Sequence, residues 1–315
     1  MKLKTMNSPI LFIIFNRKEI TEQSFKTIRE AKPPRLYIAA DGPRDWVSGE
    51  KELCADTRNI INKIDWDCEV NTLFQEKNLG CQKAVITAIN WFFENEEEGV
   101  ILEDDIIPKP EFFEFVDLML NKYRDNSNIK AVLGFNQFGQ GINNNSYFYS
   151  RGFYAWGWAT WKSRWKDYKE DVITNEIIND KSLLEIYDKS ILKGINFNLK
   201  LVNSGLLDTW DYQMIHMIVI QKGFTIVPYA NLTSNIGADG AHSINNTNIF
   251  HKYGDLSIND LKYPQKIEDN LEMNIKLWND YKKASFIVNV KNFLFKIGVY
   301  KQIKKYYKKI QNFKN

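Results

Sequence analysis

Cysteine and histidine are scarce in this 315-residue sequence, which contains three of each. The cysteines, Cys54, Cys68 and Cys81, form an odd set without C-x-x-C spacing. A disulfide framework needs paired cysteines and a zinc–thiolate site needs closely spaced ones, so the sequence excludes both. Cysteine usage of this kind favours a reducing compartment, and we expect a cytoplasmic protein.

The glycine-rich nucleotide motifs are also missing. No G-x-G-x-x-G follows the first apolar run and no Gly-Lys-Ser/Thr occurs anywhere, which removes the usual support for dinucleotide redox and P-loop chemistry. No apolar run reaches the roughly 18 residues that a membrane-spanning helix needs. The run from Pro9 to Phe15 ends at Asn16 and Arg17 without a small-residue cleavage site. We interpret it as a buried strand rather than a signal peptide.

Charge is nearly balanced overall but unevenly distributed. The chain has 42 basic and 39 acidic residues, a net charge of +3, which indicates neither disorder nor a nucleic-acid-binding protein. From residue 281 onwards there are 10 lysines and no acid, so the preceding part has a net charge of −7. A mildly acidic body therefore precedes a strongly basic C-terminal segment.

Strand-like apolar runs alternate with helical patterns over the first 135 residues. The runs at 10–15, 35–40 and 100–102 are each followed by a segment with helical spacing. This alternation predicts an α/β fold with a mostly parallel sheet and helices on both faces. Ligands of such sheets bind beyond the carboxyl ends of the strands. The polar residues that follow each run are therefore the first candidates for a site.

Three consecutive acids, Glu103, Asp104 and Asp105, follow the third of these runs. Strand alternation sends Glu103 and Asp105 to one side and Asp104 to the other. Such a set can ligate a hard cation with one carboxylate and accept a sugar hydroxyl with another. A carboxylate cluster that caps the next helix is the alternative, and position alone leaves both interpretations open.

Several segments resemble one enzyme family. "VILEDDIIPKPEFFEF" resembles the acidic strand-end motif of nucleotide-diphosphosugar glycosyltransferases with the Rossmann-like GT-A fold, in the "EDD" form of the N-acetylglucosaminyltransferase I group. "PILFIIFNR", "IAADGPR" and "EKNLGCQKAVITAINWFF" are similar to the family's first strand, second strand and the segment after the third. "WGWATW" is similar to bacterial surface-polysaccharide sugar transferases. The resemblance covers roughly residues 9–245 and implies sugar transfer from a nucleotide donor.

The resemblance also implies roles for individual residues and for parts of the chain. Asp105 would ligate Mn²⁺ or Mg²⁺, Asp104 would bind the ribose, Glu103 would support the donor pocket and Asp41 would accept the imide N–H of uracil. Four further residues would surround the nucleoside: Asn16, Arg17, Asn78 and Lys83. We expect a nucleotide-sugar-binding half at 1–135, an acceptor-binding and catalytic half at 136–265, and a basic helical segment at 266–315.

Inverting transfer requires a base that takes the proton of the acceptor hydroxyl. "LLDTWDYQM" resembles the family's segment that supplies this base and offers Asp211, which we favour, and Asp208. The alternative is that one of these acids only caps the following helix.

Six other residues are interpreted less directly. His242 would contact a metal or phosphate, or would be a solvated loop residue. Trp158 or Trp156 would line the site, whereas Trp161 and Trp165 would be structural. His216 lies in an apolar helical run and is expected to be a hydrogen-bonded core residue rather than a catalyst.

The C-terminal segment has apolar residues at three- and four-residue steps from Phe286 to Ile310, with lysines largely on other faces. This pattern predicts a basic amphipathic helix that either packs on the domain or lies on an anionic membrane surface.

The sequence thus predicts a metal-dependent, inverting glycosyltransferase that uses a UDP-sugar donor and acts on a surface-glycan or lipid-linked oligosaccharide acceptor. We expect it in the cytoplasm, peripheral on the inner face of the plasma membrane. The alternatives are a non-catalytic carbohydrate-binding or assembly protein with this fold and a sugar nucleotidyltransferase. The sequence lacks the glycine-rich, basic triphosphate-binding loop that a sugar nucleotidyltransferase has after its first strand.

Overall fold

The structure, a computed structural model, describes residues 6–137, 145–237 and 254–270, together with residues 274, 294 and 299. The strands are β1 (Ile10–Ile14), β2 (Arg35–Ala40), β3 (Glu69–Phe74), β4 (Glu98–Glu103), β5 (Ile106–Pro108), β6 (Ile129–Leu133), β7 (Tyr147–Ser150), β8 (Trp158–Trp161), β9 (Phe224–Pro228) and β10 (Thr233–Asn235). The α-helices are α1 (Lys18–Ala31), α2 (Glu50–Arg58), α3 (Cys81–Asn95), α4 (Pro110–Tyr123), α5 (Lys162–Trp165), α6 (Lys181–Leu184), α7 (Lys189–Asn203) and α8 (Asp211–Ile220). Two 3₁₀ helices span Asn59–Lys63 and Ile258–Asp260.

Eight strands form one sheet in the order β3-β2-β1-β4-β8-β6-β9-β7. The pairs β3/β2, β2/β1, β1/β4 and β6/β9 are parallel, and β8 and β7 run antiparallel to their neighbours. Six of the eight strands therefore point the same way. The predicted α/β fold with a mostly parallel, Rossmann-like sheet is confirmed.

The inner strands are apolar on both faces because helices cover both faces of the sheet. Phe12 of β1 belongs to one core cluster with Phe25 of α1 and Phe112 of α4. On the other face α3 packs on β1 and β2, and a Cβ added at Gly99 of β4 would lie 2.3 Å from the ring of Phe92 in α3. Glycine at this position lets α3 approach the sheet closely.

The chain contains two compact units. The first comprises residues 1–168 and 223–270 and holds the whole sheet, and the second comprises residues 169–222 and 271–315. The expected boundary at residue 135 runs through the sheet, because β8 and β9 lie beside strands from the first 135 residues. Within the second unit, α7 packs against α8.

The basic C-terminal helix predicted for 266–315 falls almost entirely outside the described residues. Among the residues that are described, no helix has the length and apolar character needed to cross a bilayer.

Candidate functional site

The order of the strands places a crevice between β1 and β4. The chain passes from β1 to β2 and β3 on one side and then returns to β4 on the other side of β1. Such a topological switch point is where open α/β sheets bind their ligands. Ile13 of β1 is in register with Glu103 of β4, so the residues just after both strands meet at this edge.

Arg17, Asp104 and Asp105 come together at the switch point. The Arg17 Nε donates to Asp104 Oδ2 at 3.3 Å, and its Nη2 donates both to Asp104 Oδ1 and, at 3.1 Å, to Asp105 Oδ2. The Arg17 side chain is 32% exposed, compared with 6% for Asp104 and 13% for Asp105. The two carboxylates therefore lie at the bottom of the crevice and the guanidinium covers them.

Burial and ion pairing shift the pKa values of Asp104 and Arg17 in opposite directions. Burial raises the pKa of Asp104 to about 6, against the opposite effect of Arg17. Burial alone would lower the pKa of Arg17, but Asp104 and Asp105 together raise it above its ordinary value. At neutral pH Asp104 is therefore mostly ionised beside the charged guanidinium of Arg17.

The two carboxylates also fit a divalent cation. One nitrogen atom, Nη2 of Arg17, contacts oxygens of both aspartates, so the point between them already accommodates a positive charge. No cluster of three or more histidine, cysteine or acidic residues suited to a metal occurs in the described part of the chain. Mg²⁺ sites, however, commonly use one or two carboxylates together with substrate phosphates. Asp104 and Asp105 match that type of site if Arg17 moves away.

Backbone from a distant segment closes one side of the cluster. β10 pairs antiparallel with β5, and the Ile236 N–H donates to the Asp105 carbonyl at 2.9 Å. A Cβ added at Gly237 would lie 2.1 Å from Asp105 Oδ2, so only glycine lets this backbone approach the carboxylate. Gly237 was not among the predicted site residues, although it lies only five positions before His242 in the sequence. His242 itself lies outside the described residues.

Asp41 directly follows β2 and is held by hydrogen bonds from within the protein. Its Oδ1 accepts from the backbone N–H groups of Gly42 and Leu79, both at 2.8 Å. Its Oδ2 accepts from Asn78 Nδ2 at 2.8 Å and from the Gly80 N–H at 3.2 Å. A carboxylate has about four acceptor positions, and all four are used within the protein. Asp41 therefore fixes the 78–80 loop to the end of β2, and its role as acceptor of the imide N–H of uracil stays a prediction.

Asn16 contacts an anchor that the sequence analysis did not identify. Its Nδ2 donates at 2.8 Å to Glu50 Oε1, and Glu50 is 1% exposed. Glu50 also accepts from the Arg44 N–H at 2.7 Å and from the Arg44 guanidinium. The hydrogen bonds from Arg44 hold the pKa of Glu50 below its ordinary value, against the opposite effect of burial. Glu50 thus ties the loop after β2 to the end of β1.

The remaining residues expected around the nucleoside lie near the same edge. Asn78 donates to the Gly42 carbonyl at 2.9 Å as well as to Asp41. Lys83 is exposed in the first turn of α3, and Glu103 is the half-buried last residue of β4. Their contacts with a nucleotide stay predictions.

The tryptophan expected to line the site is a core residue. Trp158 is fully buried in β8, with its ring centroid 5.1 Å from that of Phe153. A fully buried ring has no surface for a ligand, so the expectation for Trp158 is not met in this structure, whereas Trp156 is half-buried. Trp161 and Trp165 are buried, and their indole N–H groups donate to the Leu120 carbonyl and to Asn90 Oδ1. They are structural, as expected.

Asp208 and Asp211, the candidate bases, belong to the second unit. Asp211 is the first residue of α8, and its Oδ1 accepts from the Thr209 hydroxyl at 2.6 Å. Trp210 occupies the N-cap position without a side-chain capping bond. Asp208 is exposed two residues before that position. Neither acid is the N-cap of α8, and the role of either as a base stays a prediction.

His216 lies on the same helix, five residues after Asp211. Burial lowers its pKa to about 4, and the charge of Lys169 acts in the same direction. The half-buried imidazole agrees with the expectation of a structural residue. The expected hydrogen bond is not seen at Nε2, which is buried without a partner among the described residues.

Comparison of the sequence with protein-family profiles and with curated proteins finds no match. Among solved structures, the chain is similar to the mannosyltransferase PcManGT from Pyrobaculum calidifontis, which was determined in complex with GDP-Man and Mn²⁺. The identity is 10%, the TM-score is 0.36, and the match covers 68% of this chain and 69% of that one. A similarity of this size assigns neither an activity nor a ligand to this chain.

Proposed function

We propose that this chain is a glycosyltransferase that binds a nucleoside-diphosphate sugar at the crevice between β1 and β4. The observation that carries the proposal is the convergence of Asp104, Asp105 and Arg17 at the switch point of the sheet. This is the position at which α/β sheets of this kind bind nucleotides. It also combines carboxylates for a hard cation with a guanidinium for phosphate.

The chemistry of sugar transfer explains why both charges are needed. When the bond between sugar and phosphate breaks, negative charge develops on the departing nucleoside diphosphate. A divalent cation held by Asp105, and by Asp104 beside it, would supply Lewis-acid stabilisation of that charge. The Arg17 guanidinium can pair with the same phosphates, because its planar fork matches their oxygens.

The loops beside the crevice are fixed before any donor binds. Asp41 holds the 78–80 loop through two backbone N–H groups and one side-chain amide, and Glu50 holds the loop after β2. Binding a ligand between preorganised loops costs less ordering entropy than binding between mobile ones. The Asp41 carboxylate accepts four hydrogen bonds from within the protein. We therefore propose a nucleoside-diphosphate sugar as the donor, without a preferred base.

We further propose that Asp211 takes the proton of the acceptor hydroxyl in an inverting transfer. Inversion needs a base on the face opposite the leaving group, and Asp211 begins α8 with its carboxylate held by Thr209. Asp208 is the alternative within the same segment.

The acceptor would be a surface glycan or a lipid-linked oligosaccharide, reached through association of the basic C-terminal segment with anionic membrane. Co-sedimentation of the full chain with anionic vesicles at low and high salt tests that association.

The test of the function is donor binding by Asp105→Asn. We expect wild type to bind a nucleoside-diphosphate sugar in the presence of Mn²⁺ and to release the diphosphate slowly in a coupled assay. Asp105→Asn should lose the Mn²⁺-dependent part of that binding, because the amide keeps the size of the side chain but not its charge. Isothermal titration of wild type and of Asp105→Asn with a panel of donors, with and without Mn²⁺, measures donor binding. The coupled assay measures release of the diphosphate.

Asp65→Asn is the matched control. Asp65 is also paired with an arginine, Arg29, but this pair is exposed and lies at the other end of α1, about 18 Å along the helix from Arg17 at 1.5 Å per residue. Unchanged donor binding by a folded Asp105→Asn variant would remove Asp105 from the site. If wild type binds donors without any turnover, the chain is a carbohydrate-binding or assembly protein instead.

A further inference from the structure

We propose that Arg17 acts as a built-in counter-cation that keeps free divalent metal ions out of the Asp104–Asp105 site until a donor diphosphate binds. This inference rests on the proposed function, because it explains how metal and donor would reach the same crevice. It assigns to Arg17 a positioning role that follows from its contacts with both carboxylates.

The geometry makes Arg17 and a metal ion competitors. A single atom, Nη2, lies within hydrogen-bond distance of oxygens from both aspartates. A divalent cation that used those oxygens would need the space that Nη2 occupies. It would also be repelled by the guanidinium, since two like charges at contact distance in a partly buried site interact strongly.

The exposure of the three side chains identifies the group that can move. Asp104 and Asp105 are 6% and 13% exposed, whereas Arg17 is 32% exposed and reaches the carboxylates from the solvent side. The backbone of Asp105 is fixed by the hydrogen bond from Ile236. Arg17 precedes the first residue of α1 and makes no side-chain capping bond there. Moving the guanidinium therefore breaks no helix contact, whereas moving the carboxylates would disrupt the strand ends.

A diphosphate offers Arg17 an alternative partner of the same kind. Guanidinium groups bind phosphate through two parallel hydrogen bonds, as they bind carboxylate. When the diphosphate draws Arg17 away, Asp104 and Asp105 become available to a cation that the phosphates also coordinate. Metal and nucleotide should then bind cooperatively, and the coupling must be the same whichever binds first.

The experiment measures Mn²⁺ binding to the full chain by electron paramagnetic resonance, which detects the free ion, with and without a nucleoside diphosphate. Wild type should bind Mn²⁺ weakly alone and about tenfold or more tightly with the diphosphate, within the usual range of such couplings. Arg17→Gln should bind Mn²⁺ about tenfold more tightly than wild type in the absence of nucleotide, and the coupling should largely disappear.

Two variants separate charge from structure. Arg17→Gln leaves the buried Asp104 without its cation and can therefore destabilise the fold, whereas Arg17→Lys keeps the positive charge. The affinity of Arg17→Lys for Mn²⁺ alone should stay as low as that of wild type. Arg29→Gln removes an arginine from the exposed pair with Asp65 at the far end of α1 and should change nothing. Far-ultraviolet circular dichroism verifies the fold of each variant.

The inference is wrong if Arg17→Gln, folded, binds Mn²⁺ alone no more tightly than wild type, or if Arg17→Lys binds it as tightly as Arg17→Gln. It is also wrong if nucleotide binding by wild type is independent of Mn²⁺, because Arg17 would then serve as the permanent counter-cation. All three outcomes leave nucleotide-sugar binding intact. A wild type that binds no nucleoside-diphosphate sugar under any condition contradicts the proposed function itself.

Discussion

Replacement of Asp41 by asparagine separates a role in loop architecture from a role in reading the nucleobase. The wild-type carboxylate accepts four hydrogen bonds, two on each oxygen. In Asp41→Asn one oxygen becomes an NH₂ group that faces two donors, the Asn78 amide and the Gly80 N–H. Asn78 could turn its own oxygen towards the new amide, but it would then lose its bond to the Gly42 carbonyl.

The expected loss follows from these contacts. Hydrogen bonds to charged groups contribute about 1.5–3 kcal/mol each, so two lost bonds, partly recovered by rotation of Asn78, should lower the free energy of unfolding by about 3 kcal/mol. For a unit of this size that corresponds to a decrease in Tm of about 6–12 °C. Differential scanning calorimetry of Asp41→Asn, with the exposed Asp65→Asn as control, measures the difference. We expect the control to melt with wild type.

A second measurement on the same variant concerns ligand selection. Because Asp41 has no acceptor left for a base, Asp41→Asn should bind donors with different bases in the same order of preference as wild type. The loop interpretation is refuted if Asp41→Asn melts together with wild type. A change in the order of base preference in a fully stable variant would restore Asp41 as the base-reading residue.

Three further predictions concern other positions. Gly237→Ala should keep the Tm of wild type within a few degrees but weaken Mn²⁺-dependent donor binding, since its Cβ would collide with the Asp105 carboxylate. Titration of wild type and the variant with the same donor measures the difference, and equal affinity would contradict the close approach. The contribution of His216 to stability should decrease as the pH falls from about 6.5 towards 4, by at most about 3 kcal/mol, because the unfolded chain protonates His216 before the folded one, whose pKa is about 4. Asp104, whose pKa is raised to about 6, acts in the opposite direction over the same range, so the measurement is the difference between wild type and His216→Gln in urea unfolding at pH 7 and pH 5: wild type should lose more stability, or gain less, than the variant. Asp211→Asn should retain donor affinity while turnover falls by about two to four orders of magnitude, and normal turnover in this variant with an inactive Asp208→Asn would transfer the role of base to Asp208.

The sequence predicted the sheet and the position of the carboxylates because both depend on local patterns. Apolar runs followed by helical spacing define β1, β2 and β4, and the acids directly after β4 had to lie at a carboxyl edge. The interactions that determine what Asp41 does were not accessible, because its partners in the 78–80 loop are separated from it by nearly 40 residues. Likewise, Glu50 lies in a polar stretch of sequence, and only the folded chain shows that it is buried.

The place of Trp158 was also beyond local reasoning. Its segment was expected to belong to the acceptor-binding and catalytic half at 136–265, but β8 inserts antiparallel between β4 and β6. This pairing joins residues about 30 to 60 positions apart and buries an aromatic segment that, on composition alone, resembles a ligand-binding surface. Aromatic residues serve cores and sugar sites equally well, so only the neighbouring strands decide between the two.

Because Glu50 fixes the base of the loop after β2, the sequence at the tip of this loop can vary. Glu50 fixes the base of the loop, where it binds Arg44 and Asn16, and the Val47 N–H closes a turn onto the Arg44 carbonyl at 3.1 Å. At the tip, Trp46 is 77% exposed, so its side chain contributes little to the core. Residues at the tip can therefore be exchanged, in evolution or by randomisation, without loss of the scaffold. Variation at the tip would change which side chains a ligand of the crevice contacts there, while Asp104, Asp105 and Arg17 keep their geometry.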